Sequence, residues 1–337
     1  MKSWRIIEPN KIEFVEREGQ SPQPKQVKVK VTKASIAVSD MLIYQGRVKN
    51  VAYPVTPGRH AVGIVVETGE DVKHLTRGDR VVIDPYIICD ECPSCRDVDD
   101  CENLLVAGVN GEGLIGDLVT VDMSRLKKLP EHISDGDALF VEQTAIADKV
   151  FDKLELGKGA HIVISGATAI GLIAAQAAIY YQMVPIVVDN RADRLKIAEK
   201  VGVYYTVDSS AVDVYKKIRA LTGGRLADAL IFCTTATQKL QNSLECVAKN
   251  GKVALAGFCG ATPDLKADLS GAFERQLAIY SVNNGSKYLS GAINMLANKS
   301  ISVNGFVSKE IGLGEVSDAM AELADNPERY FKIAVKF

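Results

Sequence analysis

Two groups of residues in this chain have types and spacings that can do chemistry. The first is Cys89-x2-Cys92-x2-Cys95-x5-Cys101. Tight CxxC turns deliver soft thiolate sulfurs to the four corners that a tetrahedral zinc ion requires. The N-terminal residues, MKSWRIIEPN, lack the apolar run of a secretory signal, so the cluster argues for metal rather than disulfides. Four free or oxidised thiols are the alternative. Cys233, Cys246 and Cys259 are scattered among apolar residues and read as buried fillers. The second group lies in residues 161–189, HIVISGATAIGLIAAQAAIYYQMVPIVVD. A β-branched run leads into Gly166-Ala167-Thr168-Ala169-Ile170-Gly171. An alanine-rich helix follows, and a second apolar strand ends in Asp189. Gly166 permits the turn out of the strand. Unpaired N–H groups at the helix start suit a pyrophosphate, and Gly171 lets helix and strand approach. Asp189 can accept both ribose hydroxyls and would repel a 2′-phosphate, so NAD(H) is expected over NADP(H). Thr168 stands where GxGxxG has its middle glycine, and a plain crossover without ligand is the alternative.

The elements that must position these groups change character along the chain. Residues 26–32 alternate valine with polar residues, residues 62–67 and 80–83 are further strand candidates, and 119–121 and 125–129 add two more. The first 140 residues therefore read as an all-β, barrel-like domain. Residues 134–150 read as helical. From 161 onward strand and helix alternate: helices at 191–201, 211–221 and 239–247, and strands at 203–207, 229–233, 252–257 and 279–282. That is about six parallel strands, a doubly wound sheet. Residues 287–298 read as a helix, and 331–337 as a strand returning to the first domain. A chain of 337 residues, 47% hydrophobic, has enough apolar material for two cores. A net charge of −2 without a basic run argues against nucleic acid. No window reaches the roughly 20 apolar residues of a membrane span, so a soluble, cytoplasmic protein without a membrane partner is expected.

In the order of its parts the chain resembles the medium-chain dehydrogenase/reductase superfamily, in its zinc alcohol and polyol dehydrogenase branch. The resemblance rests on PxxPGRHxxGxVxE at 54–67, GDRVVxxP at 78–85, the cysteine lobe, LxKLP at 126–130, the nucleotide unit, and a terminal KxxVKF. It implies an α/β architecture: a GroES-like β-barrel catalytic domain (1–147 and 285–337, with a structural-zinc lobe near 85–105) and a doubly wound Rossmann domain (148–284). It places nicotinamide and substrate in the cleft between the domains. It also implies one structural zinc on Cys89, Cys92, Cys95 and Cys101, although relatives usually have seven residues before the last cysteine and this chain has five.

The same resemblance exposes a rewritten catalytic site. Relatives place a zinc-binding cysteine in C-x-S/T-D and a histidine in GHE; here those segments read Ala37-Val38-Ser39-Asp40 and Gly58-Arg59-His60. Only Glu142 keeps a ligand position, and the relay histidine's place holds Leu42. Alanine cannot bind zinc, and arginine puts a fixed charge at the metal's position. Arg59 is expected either to polarise a carbonyl or hold a carboxylate or phosphate, or to pair with Glu142. His60 is expected to serve either as general acid–base or as a hydrogen-bonded support. Ser39 keeps the place of the relay hydroxyl, Asp40 is expected in a buried ion pair, and Tyr44 is a further donor. On the cofactor side, Gly166, Thr168, Ala169, Ile170 and Gly171 would face the pyrophosphate. Asp189 and Arg194 would flank the ribose, and Cys233, Thr234, Ala256 and Gly257 would line the cofactor. Relatives commonly have an acidic residue and a glycine where this chain has 232–235, which narrows the nicotinamide side. The expectation is an NAD(H)-dependent oxidoreductase without catalytic zinc, acting on a small carbonyl, alcohol or activated double bond. An ordinary zinc-dependent alcohol or polyol dehydrogenase and an inactive dinucleotide-binding protein are the alternatives. Family habit suggests a homodimer or homotetramer.

Overall fold

The computed structural model describes residues 1–19, 21–95, 98–234, 239–257 and 267–337. The chain divides into two compact units, Met1–Glu142 with Val303–Phe337, and Gln143–Ser302. Residues 285–302, including the helix Leu289–Ala297, group with the second unit, whereas the sequence reading placed them with the barrel.

In the first unit a seven-stranded sheet runs in the order Val307–Gly312, Lys332–Lys336, Gln26–Ile36, His60–Thr68, Arg80–Ile83, Leu126–Lys128, and Leu118–Asp122 also pairs with Gln26–Ile36. Gln26–Ile36 is its axis. Val27, Val29 and Val31 are fully buried while the lysines between them point outward, the period-2 pattern of a half-buried strand. The terminal strand Lys332–Lys336 pairs antiparallel with it, Ile333 facing Ile36 and Ala334 facing Ser35. The end of the chain thus completes the sheet, as the alternation in 331–337 implied.

The second unit is built on a six-stranded parallel sheet in the order Tyr205–Asp208, Val184–Asp189, His161–Ser165, Ala227–Phe232, Val247–Ala256, Ala278–Val282. The helix Ala169–Tyr180 is buried from Ala169 through Ala178. Its alanines and Gly171 keep the helix thin enough to lie close on the strands.

Local differences from the sequence reading have local causes. The helical stretch 134–150 is two helices, Asp135–Ala138 and Val141–Leu154, joined through Leu139 and Phe140. Ser134 caps the first by accepting from the Asp137 N–H at 3.0 Å. The helix read at 211–221 starts only at Val214, where Asp213 accepts from the Lys216 N–H and sets the boundary. Among the described residues no helix is long and apolar enough to cross a membrane.

Candidate active site, cofactor turn and metal lobe

The four lobe cysteines converge. The Sγ atoms of Cys89, Cys92, Cys95 and Cys101 all lie within 4.8 Å of one another, with separations of 3.3 Å (89–95), 3.2 Å (92–95) and 3.5 Å (95–101). A disulfide would need about 2.05 Å. Zinc–sulfur bonds of about 2.3 Å give tetrahedron edges of about 3.8 Å, close to what is seen. The backbone helps: the Cys95 N–H donates to the Cys92 carbonyl at 3.0 Å, closing the tight turn, and the Cys89 N–H points at Cys101 Sγ at 3.4 Å. Backbone N–H groups of Glu91 and Cys92 and the neighbouring thiol of Cys95 lower the Cys89 pKa to about 6, toward the ligating thiolate. The set fits a closed zinc site, and it is the one such convergence of three or more His, Cys, Asp or Glu donors among the described residues.

In the first unit the rewritten segments form a buried polar cluster. Ala37 starts the helix Val38–Tyr44, and Asp40, 3% exposed, accepts from the Ala37 N–H at 2.9 Å and the Gly58 N–H at 2.8 Å. Its carboxylate ties the Ala37 turn to the glycine before Arg59. Burial raises its pKa, and those N–H groups and the Arg59 charge oppose the rise. Ser39 Oγ lies 3.5 Å from Asp40, too long for a firm bond. Tyr44 donates to the Asn10 carbonyl at 3.0 Å, so its hydroxyl is spent on the fold.

His60 and Glu142 are both buried. His60 Nε2 lies 3.2 Å from one Glu142 oxygen, and Tyr86 donates to the other at 2.7 Å. Burial lowers the His60 pKa to about 4, the Lys332 and Arg59 charges reinforcing it against the pull of Glu142. Burial disfavours the Glu142 carboxylate, yet the His60 bond and the Arg59 charge outweigh it and hold the group ionised. At neutral pH the pair is therefore a carboxylate accepting from a neutral imidazole. The Arg59 charge acts on Asp40, Glu142 and Tyr86 alike.

A catalytic zinc does not fit these residues. Ala37 offers no donor and Arg59 brings a cation. Both Glu142 oxygens are engaged, and among the described residues His60 and Glu142 are the candidate ligands at this place, where three are needed. Two further buried residues carried no role in the sequence reading. Tyr86 directly follows the GDRVVxxP segment. Lys332 opens the terminal KxxVKF and is fully buried; its Nζ donates to the Leu139 carbonyl at 2.5 Å and lies 4.2 Å from the Phe140 ring centroid.

In the second unit the glycine turn is built as its spacing implied. Gly166 has φ +107°, a conformation that favours glycine. Thr168 occupies the N-cap of Ala169–Tyr180, accepting from the Gly171 N–H at 3.2 Å and donating to the Cys233 carbonyl at 3.0 Å. It replaces the middle glycine because a cap is useful there. A Cβ on Gly171 would sit 2.0 Å from the Gly166 carbonyl oxygen and 2.9 Å from Cys233 Sγ, so the helix start has no room for a side chain. Asp189, 8% exposed at its strand's carboxyl end, accepts from the Ala167 N–H at 2.7 Å and the Arg191 N–H at 2.9 Å. One carboxylate thus organises both the turn and its own loop. Cys233 packs under the turn, its Sγ 3.5 Å from the Ser165 and Gly166 carbonyls, and burial raises its pKa to about 12. Thr234 flanks Gly166, and Gly257 lies against Ile170. Ala169 and Ala256 are buried and Arg194 is half-buried on the helix Ala192–Lys200. Thr235 and Cys259 lie outside the described residues.

Known proteins resemble this chain in sequence and fold. The family model for the alcohol dehydrogenase GroES-like domain matches residues 23–131, and the zinc-binding dehydrogenase model matches 169–304. A zinc-type alcohol dehydrogenase-like protein of Haemophilus influenzae is 31% identical, covering 100% of this chain and 99% of its own. A sorbitol dehydrogenase of Halalkalibacterium halodurans is 29% identical over 90% of each. Among solved structures, a zinc-binding dehydrogenase from Sinorhizobium meliloti bound to NADP superposes with a TM-score of 0.91 at 25% identity, covering 100% of this chain and 99% of that one. An alcohol dehydrogenase from Escherichia coli complexed with NADH gives 0.90 at 26%, with the same coverage. The chain belongs to the zinc-type alcohol dehydrogenase-like branch of the medium-chain dehydrogenase/reductases, NAD(P)-dependent oxidoreductases that act on small molecules.

Proposed function

We propose that this protein is an NAD(H)-dependent oxidoreductase that moves a hydride between nicotinamide and a small carbonyl or alcohol, or an activated double bond, with one structural zinc and none in the reacting site. The observation that carries this reading is the buried hydrogen-bonded set of His60, Glu142 and Tyr86 in the field of the Arg59 charge, in a chain whose Ala37 provides no ligand. The unit Gln143–Ser302 carries the dinucleotide and the other unit carries the reacting groups. Gly166, Thr168, Ala169, Ile170 and Gly171 hold the pyrophosphate against the helix N-terminus. Asp189 takes the adenosine ribose and disfavours a 2′-phosphate, and Arg194, Cys233, Thr234, Ala256 and Gly257 complete the cofactor's surroundings. The bound nicotinamide supplies or accepts the hydride.

At the reacting carbon the residues divide the work. The Arg59 guanidinium polarises the carbonyl oxygen and stabilises the negative charge that develops on it. His60 is neutral at working pH; it offers a hydrogen bond fixed by Glu142, which Tyr86 orients in turn. Ser39 keeps the relay hydroxyl's place beside the reacting oxygen. The four lobe cysteines would hold a zinc in a closed set of four thiolates, which would stabilise their loop and leave no open position for chemistry.

Metal analysis and turnover test this together. One zinc per chain is expected; two would restore ordinary zinc alcohol chemistry. Arg59→Ala should reduce turnover by about a hundredfold, the range seen when a single oxyanion donor is lost, while NADH affinity changes little. Equal losses of both would remove Arg59 from the reacting site. NADH binding without turnover across alcohols and carbonyls would instead indicate a cofactor-binding protein.

A further inference from the structure

A buried lysine in the dinucleotide unit has no part in the chemistry described so far. Lys149 lies in the middle of the helix Val141–Leu154 and is 6% exposed. Lysine is almost never buried to this extent without a partner. Its Nζ donates to Asn284 Oδ1 at 3.2 Å, and Asn284 Nδ2 donates to Asn283 Oδ1 at 3.2 Å. The carboxylates nearest it along the helix are held elsewhere: Asp148 accepts from the Tyr181 hydroxyl, and Asp152 from the Tyr288 hydroxyl at 2.6 Å. Asn283 and Asn284 directly follow Ala278–Val282, the edge strand of the parallel sheet. Gly285 then seats this loop on the helix. A Cβ there would come within 2.6 Å of the Ala145 carbonyl carbon and the Ile146 nitrogen. The ammonium is therefore fixed at the carboxyl edge of the sheet. Lys149, the loop and the dinucleotide turn all belong to the unit Gln143–Ser302.

The register shows which part of a dinucleotide this edge meets. Ser165 pairs with Val188 on one side and Phe232 on the other, Phe232 with Leu255, and Leu255 with Ser281. Asp189, Gly166, Cys233, Ala256 and Val282 therefore follow one row across the sheet. With the pyrophosphate at Gly166 and the adenosine at Asp189, the two-half plan of such sheets gives the nicotinamide the other half, formed by Ala227–Phe232, Val247–Ala256 and Ala278–Val282. Polar atoms at this place also call for a ligand. Thr144 Oγ1 and Ser286 Oγ, in the residues flanking the contact of Gly285 with Ala145, are buried and have no hydrogen-bond partner among the described residues. A carboxamide brings both a donor and an acceptor of the kind such groups need.

We propose that Lys149 sets the redox preference of the bound cofactor: its buried charge disfavours the cationic ring of NAD⁺ and leaves the neutral ring of NADH untouched. The inference rests on the dinucleotide reading of the turn Gly166–Gly171. It also gives the hydride step a direction. When the substrate's C–H bond breaks, the hydride carries its electron pair to nicotinamide C4. The ring loses its positive charge, and the hydroxyl proton passes to water as the carbonyl forms. A cation beside the ring favours that change, so it makes bound NAD⁺ the stronger hydride acceptor and shifts binding toward NADH.

The test uses the full chain without substrate. Dissociation constants are measured for NADH by fluorescence titration, and for NAD⁺ and ADP-ribose by competition, in wild type, Lys149→Met, Lys149→Arg and Asn284→Asp, with thermal melts to confirm folding. Lys149→Met should lower the preference for NADH over NAD⁺ by about tenfold, the effect of one unit charge about 10 Å away at an effective dielectric constant of about 20. Lys149→Arg keeps the charge and should keep the preference. ADP-ribose has no nicotinamide and should bind alike to all four. Asn284→Asp keeps the shape of the amide and sets a carboxylate against the ammonium, so it should lower the preference too, and it decides if Lys149→Met does not fold. An unchanged preference in either folded variant, or an ADP-ribose affinity that falls as far as that of NADH, overturns the proposal. A wild type that binds neither NADH nor ADP-ribose overturns the dinucleotide reading and this inference with it; one that binds both, with the preference unchanged in the variants, overturns this inference alone.

Discussion

Lys332→Met should make this protein more stable below neutral pH and less stable in strong alkali. The folded pKa lies at about 7 against 10.5 in the unfolded chain. The unfolded chain therefore holds a proton that the folded chain resists. Stability is fully present above pH 10.5, declines as pH falls through the window, and levels off below the folded value. A gap of about 3.5 units, at about 1.4 kcal/mol each, gives an upper bound of about 5 kcal/mol for the cost of keeping the ammonium buried. Methionine has a similar reach and no charge, so it removes that cost. It also leaves the buried Leu139 carbonyl without its donor, a loss of about 1–3 kcal/mol, and it forfeits the ammonium–Phe140 contact. The net gain near pH 6 should be about 1–2 kcal/mol, in line with the neutral-to-stabilising effect of replacing buried charges by apolar groups. Above pH 10.5 only the lost hydrogen bond remains, and the variant should fall about 1 kcal/mol or more below wild type. Urea unfolding of both proteins between pH 6 and 11 measures this, read from midpoints at equal slope. A stability difference that does not vary with pH, or a methionine variant weaker at pH 6, would refute the reasoning.

Three further outcomes are expected. Cys95→Ser should abolish zinc binding measured by elemental analysis and lower the melting temperature, since Cys95 Sγ approaches three other sulfurs; retention of full zinc would mean the metal is held elsewhere. Gly171→Ala forces a Cβ to within 2.0 Å of the Gly166 carbonyl, so the turn must open; a stability loss of about 1–3 kcal/mol and a weaker NADH fluorescence titration are expected, and wild-type NADH affinity would place the pyrophosphate elsewhere. Asp189→Ala should weaken NADH binding and shift preference toward NADPH, and it should also destabilise the turn, because the Ala167 and Arg191 N–H groups lose their acceptor; an unchanged cofactor preference would remove Asp189 from the ribose.

Much of the fold was legible because two periodicities meet in this chain. The valine alternation at 26–32 became the axis of the barrel sheet, and apolar strands separated by helical stretches became the parallel sheet. What could not be read were boundaries set by single side chains. Leu139 and Phe140 interrupt a stretch that composition alone presents as one helix. Asp213 delays another until Val214 by capping it. Thr168 looked like damage to a glycine motif, and only its hydrogen bonds to Gly171 and Cys233 show it to be a cap.

The candidate site was legible wherever chemistry is written in neighbouring residues and illegible wherever it depends on register. Ala37, Arg59 and His60 could be recognised as departures because each sits inside a short motif. Asp40 was expected in an ion pair; its carboxylate lies in the field of Arg59 and also accepts two backbone N–H groups, since the turns at Ala37 and Gly58 both end with donors that need an acceptor. Lys332 was visible as the first residue of KxxVKF, but nothing local says that this lysine is buried. Its burial follows from the antiparallel pairing of a strand at the end of the chain with residues nearly three hundred positions earlier, Ile333 on Ile36. A one-residue slip would turn the ammonium to the opposite face. The burial of this lysine is therefore set by a ladder as well as by a motif, and a substitution elsewhere in Lys332–Lys336 that shifts the pairing should flatten the pH dependence of stability as much as a change to Lys332 itself.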